Sequence, residues 1–138
     1  MIHASRRLNS VKKMKRFFDK EYRKYIKIRN KHRKALKKMV SKDCDFDFGY
    51  IHDLVVAKIL NMYEYYSLGY NVHQCDESRL KIVEQLNHVM NLQIELESVY
   101  SDEGKYAQCN AADRMAREEE LYKKIYCYIG ENILNWWD

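Results

Sequence analysis

Apolar residues recur every three to four positions through four long stretches of the chain, and three of the four glycines fall near the boundaries between them. That period belongs to amphipathic helices, so the pattern predicts an all-α protein, a single-domain bundle of about four helices. No proline interrupts any of the stretches. The first helix is expected from about Ser10, its N-cap, to about Val40. Its apolar residues, among them Phe17, Tyr25, Ile28, His32, Leu36 and Met39, share one half of the helical wheel. A half-wheel of apolar side chains has to be buried against something, and the opposite half then faces solvent.

The second helix is expected over about Tyr50–Ser67, with Ile51, Leu54, Val55, Ile59, Met62 and Tyr66 on a wide apolar face that has Lys58 near it. Gly69 suits a left-handed C-cap. Asp76 is the expected cap of a third helix, about Glu77–Tyr100. Leu80, Ile82, Val83, Leu86, Val89, Met90, Ile94 and Leu96 cover more than one stripe of that helix, which predicts a central position with neighbours on both sides. A fourth helix is expected over about Ala111–Trp136, with Asn110 and Asp113 spaced as a capping pair. Met115, Leu121, Ile125, Ile129, Ile133 and Trp136 are placed on its inner side.

Charge changes the picture more than any motif does. The stretch Ser10–Lys38 carries fourteen lysines and arginines against two acids, Asp19 and Glu21. Residues 1–42 hold a net charge of +15 and residues 43–138 a net charge of −10, so the net +5 of the chain hides a strong asymmetry. We read residues 1–42 as a basic amphipathic helix and residues 43–138 as an acidic three-helix portion of one domain. The candidate anion-binding residues are Lys12, Lys13, Arg16, Lys20, Arg23, Lys24, Lys27, Lys31, Arg33, Lys34, Lys37 and Lys38, which form a ridge on the solvent half of the first helix. Cations three and four residues apart repel one another, and an anionic partner relieves that cost. Such a ridge neutralises phosphates and releases counterions, giving salt-sensitive, largely sequence-independent binding to nucleic acid. The bland alternative is a solvated face, or a helix held against the acidic helices. Arg29 is the one cation that points into the apolar side, and Tyr22 and Tyr25 fall there too, as core rather than stacking platforms.

Other chemistry is thin. Asp43, Asp45 and Asp47 imitate the opening of a calcium loop, but the sixth position is Phe48 instead of glycine and the twelfth is Leu54 instead of glutamate. The expectation there is a helix cap from Asp45 or Asp47. Cys44, His52, His73 and Cys75 supply zinc-type ligands without the two close pairs that structural sites use. The four cysteines are widely spread and read as reduced thiols. His32 and His88 are expected to be partly buried side chains. The acids of "REEEL" (Arg117–Leu121) head an exposed helix face. No phosphate loop, nucleophile elbow or His-Glu-x-x-His pair occurs, so we expect no catalysis, cofactor or metal. The opening "MIHASRRLNS" lacks the apolar core of a secretory signal, and no apolar run approaches the roughly 20 residues that span a bilayer. The expected location is therefore cytoplasmic. Trp137, beside an inward-pointing Trp136, is a candidate partner contact.

The stretches "DFDFGYIHDLVVAKILNMYEYY", "GYNVHQCDESRLKIVEQLNHVMNLQIELE" and "YIGENILNWWD" resemble a family of small helical proteins of tailed bacteriophages. The resemblance rests on acids ahead of the first shared helix, Lys58 and Met62 within it, the turn containing Gly69 and His73, and the closing Trp136, Trp137 and Asp138. It covers roughly residues 45–138 and leaves the basic helix outside. It implies an accessory protein acting in the cytoplasm of an infected bacterium, with no established activity to transfer. The expected function is non-catalytic binding of an anionic macromolecule, nucleic acid or an acidic protein surface, which blocks a host defence or nucleic-acid enzyme. A homo-oligomer assembled through apolar faces and Trp137 is the alternative, and a metal-dependent enzyme a third, weaker one.

Overall fold

Helical spacing governs the whole of the described chain. The computed structural model describes residues 20–41, 48–69 and 75–136, and among them the regular structure is helical throughout. The elements are α1 (Lys20–Val40), α2 (Phe48–Ser67), α3 (Asp76–Ser98) and α4 (Ala111–Asn132), closed by a 3-10 turn at Ile133–Asn135. The protein is all-α. It divides into two units, Met1–Asp47 and Phe48–Asp138.

In the first unit, the last turn of α1 carries Lys37 and Lys38, whose charge suits the negative end of the helix dipole. Ser41 closes the last turn, its hydroxyl donating to the Lys38 carbonyl at 2.8 Å. The expected start of this helix, residues 10–19, lies outside the described residues.

In the second unit α3 packs against both α2 and α4, the central position that its broad apolar surface predicts. Its buried residues Ile82, Leu86, Val89 and Leu96 fall at spacings of three, four and seven. Leu121, Ile125 and Ile129 meet them from α4, four residues apart. From α2 come His52, Ile59 and Tyr66, seven apart. Leu86, Leu121 and Ile125 are among the most deeply buried, and Tyr106 from the α3–α4 loop and Trp136 complete this core.

The element ends follow local chemistry. Gly69 adopts φ 71°, as its C-cap position requires, and its amide bonds the Tyr66 carbonyl at 3.1 Å. The same carbonyl accepts from Arg79 Nη1 at 3.0 Å, so an α3 side chain satisfies the end of α2. Asn110 caps α4, its side chain accepting from the Asp113 amide at 2.9 Å. Asp76 departs from expectation. It is the first helical residue of α3 and pairs with Arg79 at 3.4 Å, while Cys75 takes the cap position with no side-chain cap bond. One residue decides the role, because the dipole favours an acid in the first turn as well as at the cap.

Several apolar positions also depart from the wheel. Ile51, Leu80 and Ile94 are exposed, Ile94 by 62 %, because the buried stripes of α2 and α3 are narrower than their apolar surfaces. Met115, in the first turns of α4, lies 64 % exposed, and Ile133, the first residue of the 3-10 turn, is exposed as well.

Candidate anion-binding interface

Successive residues of α1 advance about 100°, and the cations sample that rotation unevenly. Arg23, Lys24, Lys27, Lys31, Arg33, Lys34, Lys37 and Lys38 are all exposed. Tyr25, Ile28, His32, Leu36 and Met39 are half-buried, as is Arg29, the cation placed on the apolar side. From Lys37 through Lys27 to Lys24 the exposed cations span an arc of about 140°, and Arg33 extends it by about 40° more. Glu21 is the one acid in α1, and from Tyr22 to Val40 there is none. The cations from Lys27 onward therefore have no acid three or four residues away with which to pair along the helix.

Lys20 belongs to α1, but its side chain lies outside what the structure describes, and so do Lys12, Lys13, Arg16 and Trp137. The aspartates of the calcium-like loop also lie outside the described residues, as do Cys44 and His73 of the zinc candidates.

His52 is a buried structural residue. Its Nδ1 lies 3.0 Å from the Tyr126 hydroxyl and its Nε2 lies 2.8 Å from Gln93 Oε1. Gln93 Nε2 donates to Glu97 Oε1 at 2.9 Å, which turns the amide oxygen toward the imidazole. Nε2–H must then donate to Gln93, leaving Nδ1 to accept from Tyr126. Edge-to-face contacts with Tyr122 and Tyr126 hold the ring in place. With both nitrogens committed, His52 ties α2 to α3 and α4 and has no lone pair left for a metal. Cys75 is exposed, its Sγ 3.2 Å from Ser78 Oγ. His88 is exposed rather than partly buried, its ring 4.4 Å from that of Tyr128. The two rings border an open groove with Lys81, Glu84, Gln85 and Asn91, a mixed polar surface with no converging nucleophile and base.

A second cluster joins Arg117 and Glu120 of the "REEEL" run to partners that sequence reasoning did not bring to them. Glu95 accepts from Lys105 Nζ at 2.9 Å and from Arg117 Nη2 at 2.8 Å, and it also accepts the Tyr106 hydroxyl. Arg117 Nε donates to Tyr106 and its Nη1 to Glu120. The Tyr106 hydroxyl, then Arg117 and Lys105, hold the Glu95 carboxyl at about 2, well below its usual 4.5. Glu95, then Glu120 and the Tyr106 hydroxyl, raise Arg117 above its usual value. These groups clamp α3, the following loop and α4 together. They neutralise one another locally and offer an external ligand little net charge.

Among the described residues no helix is long and apolar enough to cross a membrane. In comparisons with protein-family models, curated proteins and solved structures, nothing matches the chain.

Proposed function

We propose that this is a non-catalytic protein that binds an anionic macromolecule, nucleic acid or an acidic protein surface, through the cationic face of α1. One observation carries the reading: eight exposed lysines and arginines share one side of α1, and no acid follows Glu21 in that helix. Like charges at that spacing destabilise a helix, and a bound polyanion removes the penalty while releasing its own counterions. The likeness of residues 45–138 to tailed-phage proteins adds a setting. There the protein acts in the cytoplasm of an infected bacterium, blocking a host defence or nucleic-acid enzyme by occupying its nucleic acid or a protein surface. Heparin or DNA should retain the purified protein at low salt and release it at moderate salt, and indifference to both at low salt would sink the proposal. Capture from host lysate with and without nuclease then separates nucleic acid from protein as the ligand.

A second reading has its own support. Ile133 is exposed and Leu134 is 87 % exposed in the closing turn, which suits self-association through apolar contacts. A solution mass well above 16.8 kDa together with no polyanion affinity would favour it over the first.

A further inference from the structure

The shape of the ridge narrows the class of ligand, given the anion-binding reading on which this step rests. Exposed cations run from Arg23 to Lys38, an axial span of about 22 Å at 1.5 Å per residue. Across the helix, the edges at Lys37 and Lys24 stand about 140° apart, which on a helix 10–12 Å in diameter puts them about 10 Å from one another. The ridge is thus a strip about 22 Å by 10 Å, with Lys37 at one edge, Lys24 and Lys31 at the other, and Arg23, Lys34, Lys27 and Lys38 between them.

A single nucleic-acid strand is held differently. It follows one line of positive charge, and its bases stack on aromatic rings beside that line. Among the described side chains of α1, the aromatic rings are Tyr25 and His32, and both lie on the half-buried side away from the strip. A duplex presents two phosphate walls. In B-form DNA they flank a major groove about 12 Å wide, which admits an α-helix and matches the breadth of the strip. The major groove of an A-form RNA duplex is too deep and narrow to receive it. Base reading is sparse as well. Asn30 is the one amide side chain on α1, against eight exposed cations, so contacts to phosphate outnumber any contact to a base edge.

We infer that the ligand of α1 is double-stranded B-form DNA, held by its two phosphate backbones with little regard to sequence. The test uses the full chain and fluorescence anisotropy with four probes: a 20-base-pair DNA duplex, its single strand, an RNA duplex of equal length, and polyglutamate. The DNA duplex should bind at least about tenfold tighter than each of the others. Its log affinity should fall against log salt with a slope of about −5 to −7, for six to eight neutralised phosphates. The triple variant Lys27→Gln, Lys31→Gln, Lys34→Gln should reduce that slope by about 3. Its far-UV circular dichroism should match that of the parent, and Arg23→Gln with Lys38→Gln provides a second variant, with a slope reduced by about 2.

Equal or tighter binding of the single strand or the RNA duplex overturns the B-form assignment and leaves the polyanion reading standing. A preference above about tenfold between two DNA duplexes of unrelated sequence overturns the indifference to sequence and leaves the B-form assignment standing. Binding of polyglutamate alone moves the ligand to an acidic protein. Failure to bind any probe at 50 mM salt overturns both readings together.

Discussion

Helix α4 sets Glu119 four residues before Lys123 and Glu120 four before Lys124, with 2.6 Å between the charged atoms in both pairs. Helix α1 instead follows Lys27 with Lys31, Lys34 and Lys38. Both helices are densely charged, but α4 buries Leu121, Ile125 and Ile129, whereas the apolar side of α1 is half-buried. In α4 each acid precedes its base, the order that also suits the helix dipole, and the charge is cancelled where it stands. In α1 the same spacing accumulates a single sign. The difference teaches that the amount of charge says little about binding. What matters is whether an element neutralises its charge internally or leaves it for something else. A ligand that relieved the repulsion in α1 would also favour its helical form, so on the proposed function binding and helix formation would be coupled.

The largest expected effect tests the three-helix unit by itself. Leu121→Ala removes a fully buried side chain between α4 and α3, and should lower the unfolding free energy by about 2–5 kcal/mol in urea titration. The same truncation at half-buried Leu36 of α1 should cost less, and an equal cost would break the distinction between a packed core and a charged helix.

Next comes Glu95. Its carboxyl is more acidic in the folded than in the unfolded chain, so its contribution is complete above pH 4.5 and is lost as pH falls towards about 2. Glu95→Gln should cost about 1–2 kcal/mol at pH 7, a figure reduced for the partial exposure of the site. The variant should also lose stability less steeply than the parent between pH 5 and pH 2, as followed by thermal unfolding. Parallel curves would mean that Glu95 is not clamped as described. Asn110→Ala should cost about 1 kcal/mol through the lost cap of α4, with no change in affinity for a polyanion.

The smallest effect sharpens the contrast most. Neutralising Lys123 and Lys124 together should leave both the affinity for DNA and its salt slope unchanged, whereas neutralising Lys27 and Lys31 should reduce both. Equal losses from the two pairs would erase the difference between α1 and α4.

Much of this architecture can be read from local pattern. Asn110 with Asp113, the glycine at position 69 and the two-sided apolar surface of α3 each depend on neighbours a few residues away, and each is found as expected. Long-range partnerships are another matter. His52 at an apolar position has the same signature whether it ligates a metal or fills a core, and its partners Gln93 and Tyr126 are 41 and 74 residues distant. Glu95, Tyr106 and Arg117 meet only because the loop after α3 folds back, and no spacing announces that. The wheel also misplaced Met115 and Ile133, since periodicity reports which side is apolar but not how far a neighbouring helix reaches. The exposure of Arg23, Lys24, Lys27, Lys31, Arg33, Lys34, Lys37 and Lys38 on α1 was legible because exposure along one helix is a local property, whereas Lys12, Lys13, Arg16 and Lys20 lie outside the described side chains.

Trp136 has a practical consequence. Its indole N–H donates to Gln85 Oε1 at 2.9 Å, and Gln85 Nε2 in turn donates to Asn132 Oδ1 at 2.8 Å, so the ring reports on how the last turn sits on α3. With Trp137→Phe it becomes the sole tryptophan of the chain, an optical gauge of the acidic unit built into the protein. Titrating DNA while watching its emission would reveal whether an event on the basic helix is felt at the far end of the sequence or stops where it begins.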